Sequence, residues 1–175
     1  IKDNKLKSGK YILTVGRLEP RKNHLSLINA YAQLNTDIPL VIIGQRHFGY
    51  QQIETRISEL GLSDRILILE RVSGADLASF YRHAKFFVYP TWAEGFGMPV
   101  IEAMASGVPV ITSNTTSLPE IAASAAILIA PQDISGLREA MSSLLSSDVL
   151  RRELSSLGLI RAESFKWDKS AESVK

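Results

Sequence analysis

"FFVYPTWAEGFGMPVIEAMASGVPVIT", residues 86–112, holds a whole strand–loop–helix–strand unit, and its reading decides the fold. "FFVYP" 86–90 is near-continuous in apolar residues rather than alternating, which suits a strand buried on both faces. Gly95 and Gly97 favour a loop with unusual dihedrals or close backbone approach. Pro99 suits a first helical turn, where its missing N–H does no harm. The amphipathic stretch 98–106 ends at Gly107, a C-cap glycine, and "VPVIT" 108–112 is again strand-like.

The same unit recurs along the 175-residue chain. Apolar runs stand at "YILTV" 11–15, "LVIIG" 40–44, "RILIL" 65–69 and "AAILI" 125–129, with amphipathic stretches at about 23–35, 49–61, 75–84 and 134–146. Gly61 is a second C-cap glycine, and helical segments follow at 148–158 and 159–174. Strands alternating with helices indicate an α/β fold: a doubly wound, parallel six-stranded sheet with helices on both faces. In the common strand order 3-2-1-4-5-6, strands one and four are neighbours at the switch point, where ligands bind outside the carboxyl ends. Strand one runs into "GRLEPRKN" 16–23 and strand four into "TWAEGFG" 91–97, so the two most unusual loops face each other across one crevice.

Glu94 and Glu102 are not a pair of catalytic carboxylates. On one helix they would lie about 12 Å apart along the axis, whereas paired glycosidase carboxylates sit about 5–9.5 Å apart. Glu94 belongs in the loop and Glu102 about one turn into the helix. Between them lies a glycine-flanked helix start, which favours an anion. The facing loop supplies Gly16, Arg17, Arg21 and Lys22: a planar guanidinium fork and a compact ammonium suited to phosphate oxygens, with Arg21 read as facing solvent. Tyr89, Trp92 and Phe96 are core or pocket wall. Glu102, among Val100, Ile101, Ala103 and Met104, needs partners if partly buried.

Several classes are excluded or disfavoured. Twenty basic against 18 acidic residues, net +2, make no case for nucleic acid, and Lys2, Lys5, Lys7 and Lys10 read as a solvated lead-in. With no cysteine, disulfides and thiolate metal sites are excluded. His24, His47 and His83 share no metal-ligand spacing, and no apolar run is long enough to span a bilayer. "GFGMPV" carries Val100 where a dinucleotide fingerprint needs its third glycine, and neither a G-x-x-x-x-G-K-[ST] loop nor a G-x-S-x-G elbow occurs.

From "YILTVGRLEPRKN" to "FKWDKSAESV" the chain resembles the retaining GT-B glycosyltransferases, specifically glycosyltransferase family 4, "group 1". "EGFGMPVIEAMASGVPVITSNTTSLPEI" resembles the family's E-x7-E block. The resemblance implies that residues 1–175 form one Rossmann-like domain binding a nucleotide-sugar donor. An N-terminal acceptor domain, absent from this chain, would precede it, so the isolated domain is expected to be inactive alone. Arg17 and Lys22 match the family's pair on the donor diphosphate. Gly95, Phe96, Gly97 and Met98 match the loop whose backbone amides approach diphosphate and sugar; Gly16, where the backbone can come close to a ligand, and Pro99 complete the expected donor-binding set. Glu94 matches the glutamate set against hydroxyls of the transferred sugar, and Glu102 the one that holds the ribose diol. Arg71 and Val72, in "ERVSG", resemble the segment that cradles the base. Arg17, Lys22 and Glu94 are the expected catalytic residues. No metal or other cofactor is expected: the chain has no Asp-x-Asp, and the cations with the helix start take the metal's place at the leaving group.

The implied reaction is retaining transfer of a hexose, from a UDP-glucose-like donor first and GDP-mannose second, to a glycan or glycolipid. The expected location is cytoplasmic, peripheral at the inner membrane surface through the companion domain. One departure stands out: family members often have Gly-Asp before the sixth strand, where this chain has Ala123 and Ser124. Two rival readings share the architecture. A GT-B-fold nucleotide-sugar epimerase is not expected to carry the same E-x7-E block, and a non-catalytic nucleotide-sugar module would lack the companion domain.

Overall fold

The computed structural model describes Leu6 and residues 9–165. Its strands are β1 (Ile12–Val15), β2 (Leu40–Ile43), β3 (Ile66–Leu69), β4 (Phe86–Tyr89), β5 (Val110–Ser113) and β6 (Ala126–Ile129). They form one parallel sheet in the order β3-β2-β1-β4-β5-β6, the expected doubly wound topology. The helices are α1 (His24–Ala32), α2 (Tyr50–Glu59), α3 (Gly74–His83), α4 (Met98–Ala105), α5 (Leu118–Ala122), α6 (Ile134–Ser146) and α7 (Asp148–Glu163), with a 3-10 turn at Pro20–Lys22.

Successive strand residues point to opposite faces, so each apolar run feeds two cores. Ile12, Leu40, Ile42, Phe86 and Val88 pack with Leu27, Ile28 and Tyr31 of α1, Ile53 of α2 and Met141 of α6. Leu13, Val41, Ile43, Phe87 and Tyr89 pack with Phe80 and Tyr81 of α3, Val100 and Met104 of α4 and Leu118 of α5. Full burial of such a side chain contributes about 1.5–3 kcal/mol, and this is why the runs are continuous rather than alternating. The β1–β4 ladder has two residue pairs, Ile12 with Phe86 and Leu13 with Phe87, whereas β1–β2 has four. Gly44, just after β2, lets this rim close up: a Cβ there would lie 1.9 Å from the Gly16 carbonyl oxygen.

Three local readings change. The run 108–112 becomes a strand only from Val110, because Pro109 lacks an N–H and contributes its carbonyl to Phe87 N at 2.9 Å. The expected break near residue 158 is absent: α7 continues through Gly158 to Glu163, and positions 166–174 lie outside the described residues. Helix α5 was not anticipated. It is one short turn-length element with Pro119 in its first turn, too brief to show a helical period.

α5 ends in a tight turn in which Ala125 N donates to the Ala122 carbonyl at 2.9 Å. Its second residue, Ala123, sits at φ 46, ψ −125, the II′ conformation that glycine adopts without Cβ strain. The departure from Gly-Asp therefore puts an alanine in a glycine's dihedrals. Such strain costs about 1–3 kcal/mol, against about 0.5–1 kcal/mol of extra chain entropy for glycine. Ala123→Gly is expected to stabilise the fold by about 1 kcal/mol in urea unfolding; a loss of stability would show that the turn is not strained.

Candidate functional site

The carboxyl ends of β1 and β4 carry the two expected loops, and hydrogen bonds join them. Trp92 N donates to the Arg21 carbonyl at 2.9 Å, and the Thr91 hydroxyl donates to the same carbonyl at 2.8 Å. Asn23, buried and left-handed at φ 58, ψ 34, does not cap α1 with its side chain. Its amide nitrogen instead donates to the Pro90 carbonyl at 2.9 Å and the Pro131 carbonyl at 2.8 Å. One side chain thus ties together the loops after β1, β4 and β6.

Within this frame Lys22 meets Glu94. Lys22 Nζ lies 2.5 Å from Glu94 Oε1 and 2.5 Å from the Tyr89 hydroxyl, which itself donates to Glu94 Oε1 at 2.9 Å. Lys22 Nζ also sits 5.0 Å from the centroid of the Tyr89 ring. Arg21, read from sequence as solvent-facing, is exposed and also bonds across the loops: Nη1 donates to the Ala93 carbonyl at 2.7 Å and to Glu94 Oε1 at 3.0 Å, and Nη2 to Glu19 Oε1 at 2.9 Å. The Glu94 backbone is held as well, its N–H by Thr116 Oγ1 at 3.1 Å and its carbonyl by the Ser117 hydroxyl at 3.2 Å. Burial alone would raise the Glu94 pKa, but hydrogen bonds from Lys22 and Tyr89 and the charges of Lys22 and Arg21 outweigh it, holding the carboxyl below its ordinary value.

The remaining expected residues distribute as follows. Gly16 lies under the Lys22 side chain, where a Cβ would be 3.4 Å from Cδ. Arg17 is exposed; its carbonyl accepts from Glu19 N at 2.9 Å, and its side chain makes no hydrogen bond or ion pair among the described residues. Gly95 has open space around it, and Gly97, at φ 88, is the N-cap of α4 with no side chain capping that helix. Met98 and Pro99 form its first turn; Phe96 and Met98 are exposed, so neither is core. Glu102 is half-buried on α4 and accepts from the Tyr81 hydroxyl of α3 at 3.0 Å, away from the Glu94 cluster. Arg71 is exposed at φ 54 and Val72 half-buried after β3, and neither is hydrogen-bonded to the cluster. Sequence reasoning missed Tyr89 and Tyr81 as partners of the two glutamates, and Asn23 as the staple. For Tyr89 the signal was a hydroxyl at the carboxyl end of a strand that is otherwise apolar.

Trp92 and His24 help line a cleft of about 290 Å³ beside the 3-10 turn. A larger cleft of about 530 Å³, around Lys85, Arg151 and Arg152, lies at the opposite rim and touches none of these residues. Among the described residues, no group of three or more His, Asp or Glu side chains is placed to hold a metal ion.

Known proteins resemble this chain in sequence and fold. The family model described as "Glycosyl transferases group 1" matches residues 1–158. The chain is 37% identical over 164 residues to the O-antigen chain mannosyltransferase B of Escherichia coli, covering 90% of this chain and 42% of that protein. Sucrose-phosphate synthase from Thermosynechococcus elongatus matches with a TM-score of 0.87 and 29% identity over 97% of this chain and 45% of that one. The crystal structure of the C-terminal domain of a glycosyl transferase group 1 family protein from Francisella tularensis matches with a TM-score of 0.80 over 91% of this chain and 87% of that one; at 24% identity this shows the fold alone. The chain thus spans less than half the length of the mannosyltransferase and of the synthase.

Two stability tests follow from the frame. Asn23→Ala removes two hydrogen bonds from buried carbonyls and leaves alanine in a left-handed conformation, an expected loss of about 3 kcal/mol. Asn23→Gly keeps the conformation and should lose about 1 kcal/mol less; equal losses would show that the dihedrals carry no strain. His24, buried beside Lys22, has its pKa lowered to about 4 by burial first and the Lys22 charge second. The unfolded chain takes up that proton near pH 6.5, so stability is full above pH 6.5 and falls as pH drops toward 4, by about 3 kcal/mol. His24→Phe should flatten that part of the stability–pH curve; an unchanged slope would place the titration elsewhere.

Proposed function

This chain belongs to the glycosyl transferases group 1, and from that membership we propose that it is the donor-binding domain of a retaining hexosyltransferase acting on a nucleoside-diphosphate sugar. The observation that carries the reading is the cation cluster of Lys22 and Arg21, with Arg17 free beside it, in a loop bonded to the one that starts α4. Helix α4 begins without a side-chain cap; Pro99 has no N–H and Val100 N donates to the Gly97 carbonyl at 2.9 Å, so the Met98 N–H and the positive end of the dipole are what the helix start offers an anion.

The chemistry follows from that charge. Breaking the bond between the anomeric carbon and the diphosphate oxygen leaves negative charge on the departing phosphate. Preorganised Lys22, Arg17 and the α4 N-terminus stabilise that charge as it develops, without a metal ion. Glu94 accepts hydroxyls of the transferred sugar. Glu102 accepts the ribose diol through the oxygen that Tyr81 does not hold, and the segment at Arg71 and Val72 borders the base. The name of the Escherichia coli relative, a mannosyltransferase, moves GDP-mannose ahead of UDP-glucose as donor.

The acceptor, a glycan or glycolipid, would be held by a second, companion domain, with retention at the anomeric carbon. Among the described residues no helix is long and apolar enough to cross a membrane; we place the enzyme in the cytoplasm, peripheral at the membrane through the companion domain.

Calorimetry in excess chelator tests this reading. The chain should bind GDP or UDP without metal, and Lys22→Met and Arg17→Ala should each weaken that binding about tenfold to a hundredfold, the weight of a charge-assisted hydrogen bond. Affinity for the plain nucleoside should hardly change. Equal losses for nucleoside and diphosphate, or binding restored only by magnesium or manganese, would overturn the proposal.

A further inference from the structure

The Lys22–Glu94 junction has more donors than its acceptor can use. Lys22 Nζ, Tyr89 Oη and Arg21 Nη1 converge on the single atom Glu94 Oε1 at 2.5, 2.9 and 3.0 Å. Thr91 Oγ1 stands 3.2 Å from the same atom, but its proton is committed to the Arg21 carbonyl at 2.8 Å. A carboxylate oxygen offers about two lone-pair sites, while Glu94 Oε2 accepts no hydrogen bond among the described residues. Two cations and a hydroxyl crowded on one oxygen would be better satisfied by an anion with several oxygens. A diphosphate is such an anion. The Lys22 and Glu94 side chains are only 10% and 11% exposed, so water does little to loosen their pairing; Lys22 Nζ spends two of its three protons on Glu94 and Tyr89, and an anion that needs more than the third competes with Glu94 for it.

We propose that Glu94 competes with the donor's diphosphate for Lys22 and Arg21, and thereby sets the preference of the site for the intact nucleotide-sugar over the bare nucleoside diphosphate. The proposal rests on the nucleotide-sugar reading above and assigns Glu94 a second task within it. A bare diphosphate displaces the carboxylate and gives it nothing in return. A nucleotide-sugar displaces it and supplies hydroxyl donors for its two oxygens. The cost of freeing Lys22 therefore falls mainly on the ligand without a sugar. Once the hexose has been transferred, the spent diphosphate faces the returning carboxylate, which favours its release. When the competent arrangement is a fraction of the population, apparent affinity falls by that fraction.

The test uses calorimetry of wild type, Glu94→Gln and Tyr89→Phe with pyrophosphate, GDP, UDP, GDP-mannose and UDP-glucose, and circular dichroism to confirm folding. Glu94→Gln should bind pyrophosphate and the preferred nucleoside diphosphate about tenfold more tightly than wild type, and the matching nucleotide-sugar no more tightly. Tyr89→Phe removes the hydroxyl that bridges the pair and should shift the diphosphates in the same direction by less. Equal weakening of diphosphate and nucleotide-sugar in Glu94→Gln, or unchanged affinity for both, would overturn the competition. If pyrophosphate tightens in Glu94→Gln while no nucleotide binds any variant, the nucleotide-sugar reading fails and the competition stands. If neither pyrophosphate nor any nucleotide binds any of the three proteins, both fail.

Discussion

Everything about this domain depends on how its two half-sheets are joined. The ladders β3-β2-β1 and β4-β5-β6 meet across two residue pairs, the fewest of any ladder in the sheet. The shortfall is made up at the rim. Asn23 spans two carbonyls of distant loops, the Arg21 carbonyl accepts from Trp92 and Thr91, and Lys22 and Arg21 hold Glu94. At Lys22 and Arg21, bonds that stabilise the seam and groups that would face a ligand are the same groups, while the buried Asn23 and Thr91 hold the seam from beneath.

That double use explains the electrostatics. Lys22 is desolvated enough that its charge needs a partner, and Glu94, ionised and pulled below its ordinary pKa, supplies one. Burial first, and the same ammonium second, keep His24 neutral. Arg17 alone of the loop's cations is left with solvent.

The architecture was legible because it is written in periodicity. Six continuous apolar runs separated by amphipathic stretches leave few topologies, and the right-handed crossover rule leaves fewer. Gly16, Lys22, Glu94 and the glycine loop were legible because their residue types are unusual at strand ends. Side-chain partnership was not legible, because it depends on which hydroxyl or carbonyl comes within about 3 Å after packing. Tyr89 reads equally well as one more apolar strand residue. Arg21 reads as surface, and it is, but its bonds to Ala93 and Glu94 exist only once the β4 loop is beside it; nothing local aims the Asn23 amide at Pro90 and Pro131. Helix α5 escaped because five residues cannot display a period of 3.6.

Lys22 and Glu94 are 72 residues apart in the chain, with three helices and three strands folded between them. No local segment can imitate their juxtaposition. A molecule that must touch both can bind only a chain whose seam has closed, and its binding free energy is added wholly to the closed form. The opening it suppresses is parting of the half-sheets along their least laddered line, a sub-global motion distinct from fraying at the outer strands. A ligand held by both side chains would act as a clasp across that seam, so occupancy and cohesion of the two half-sheets would rise together.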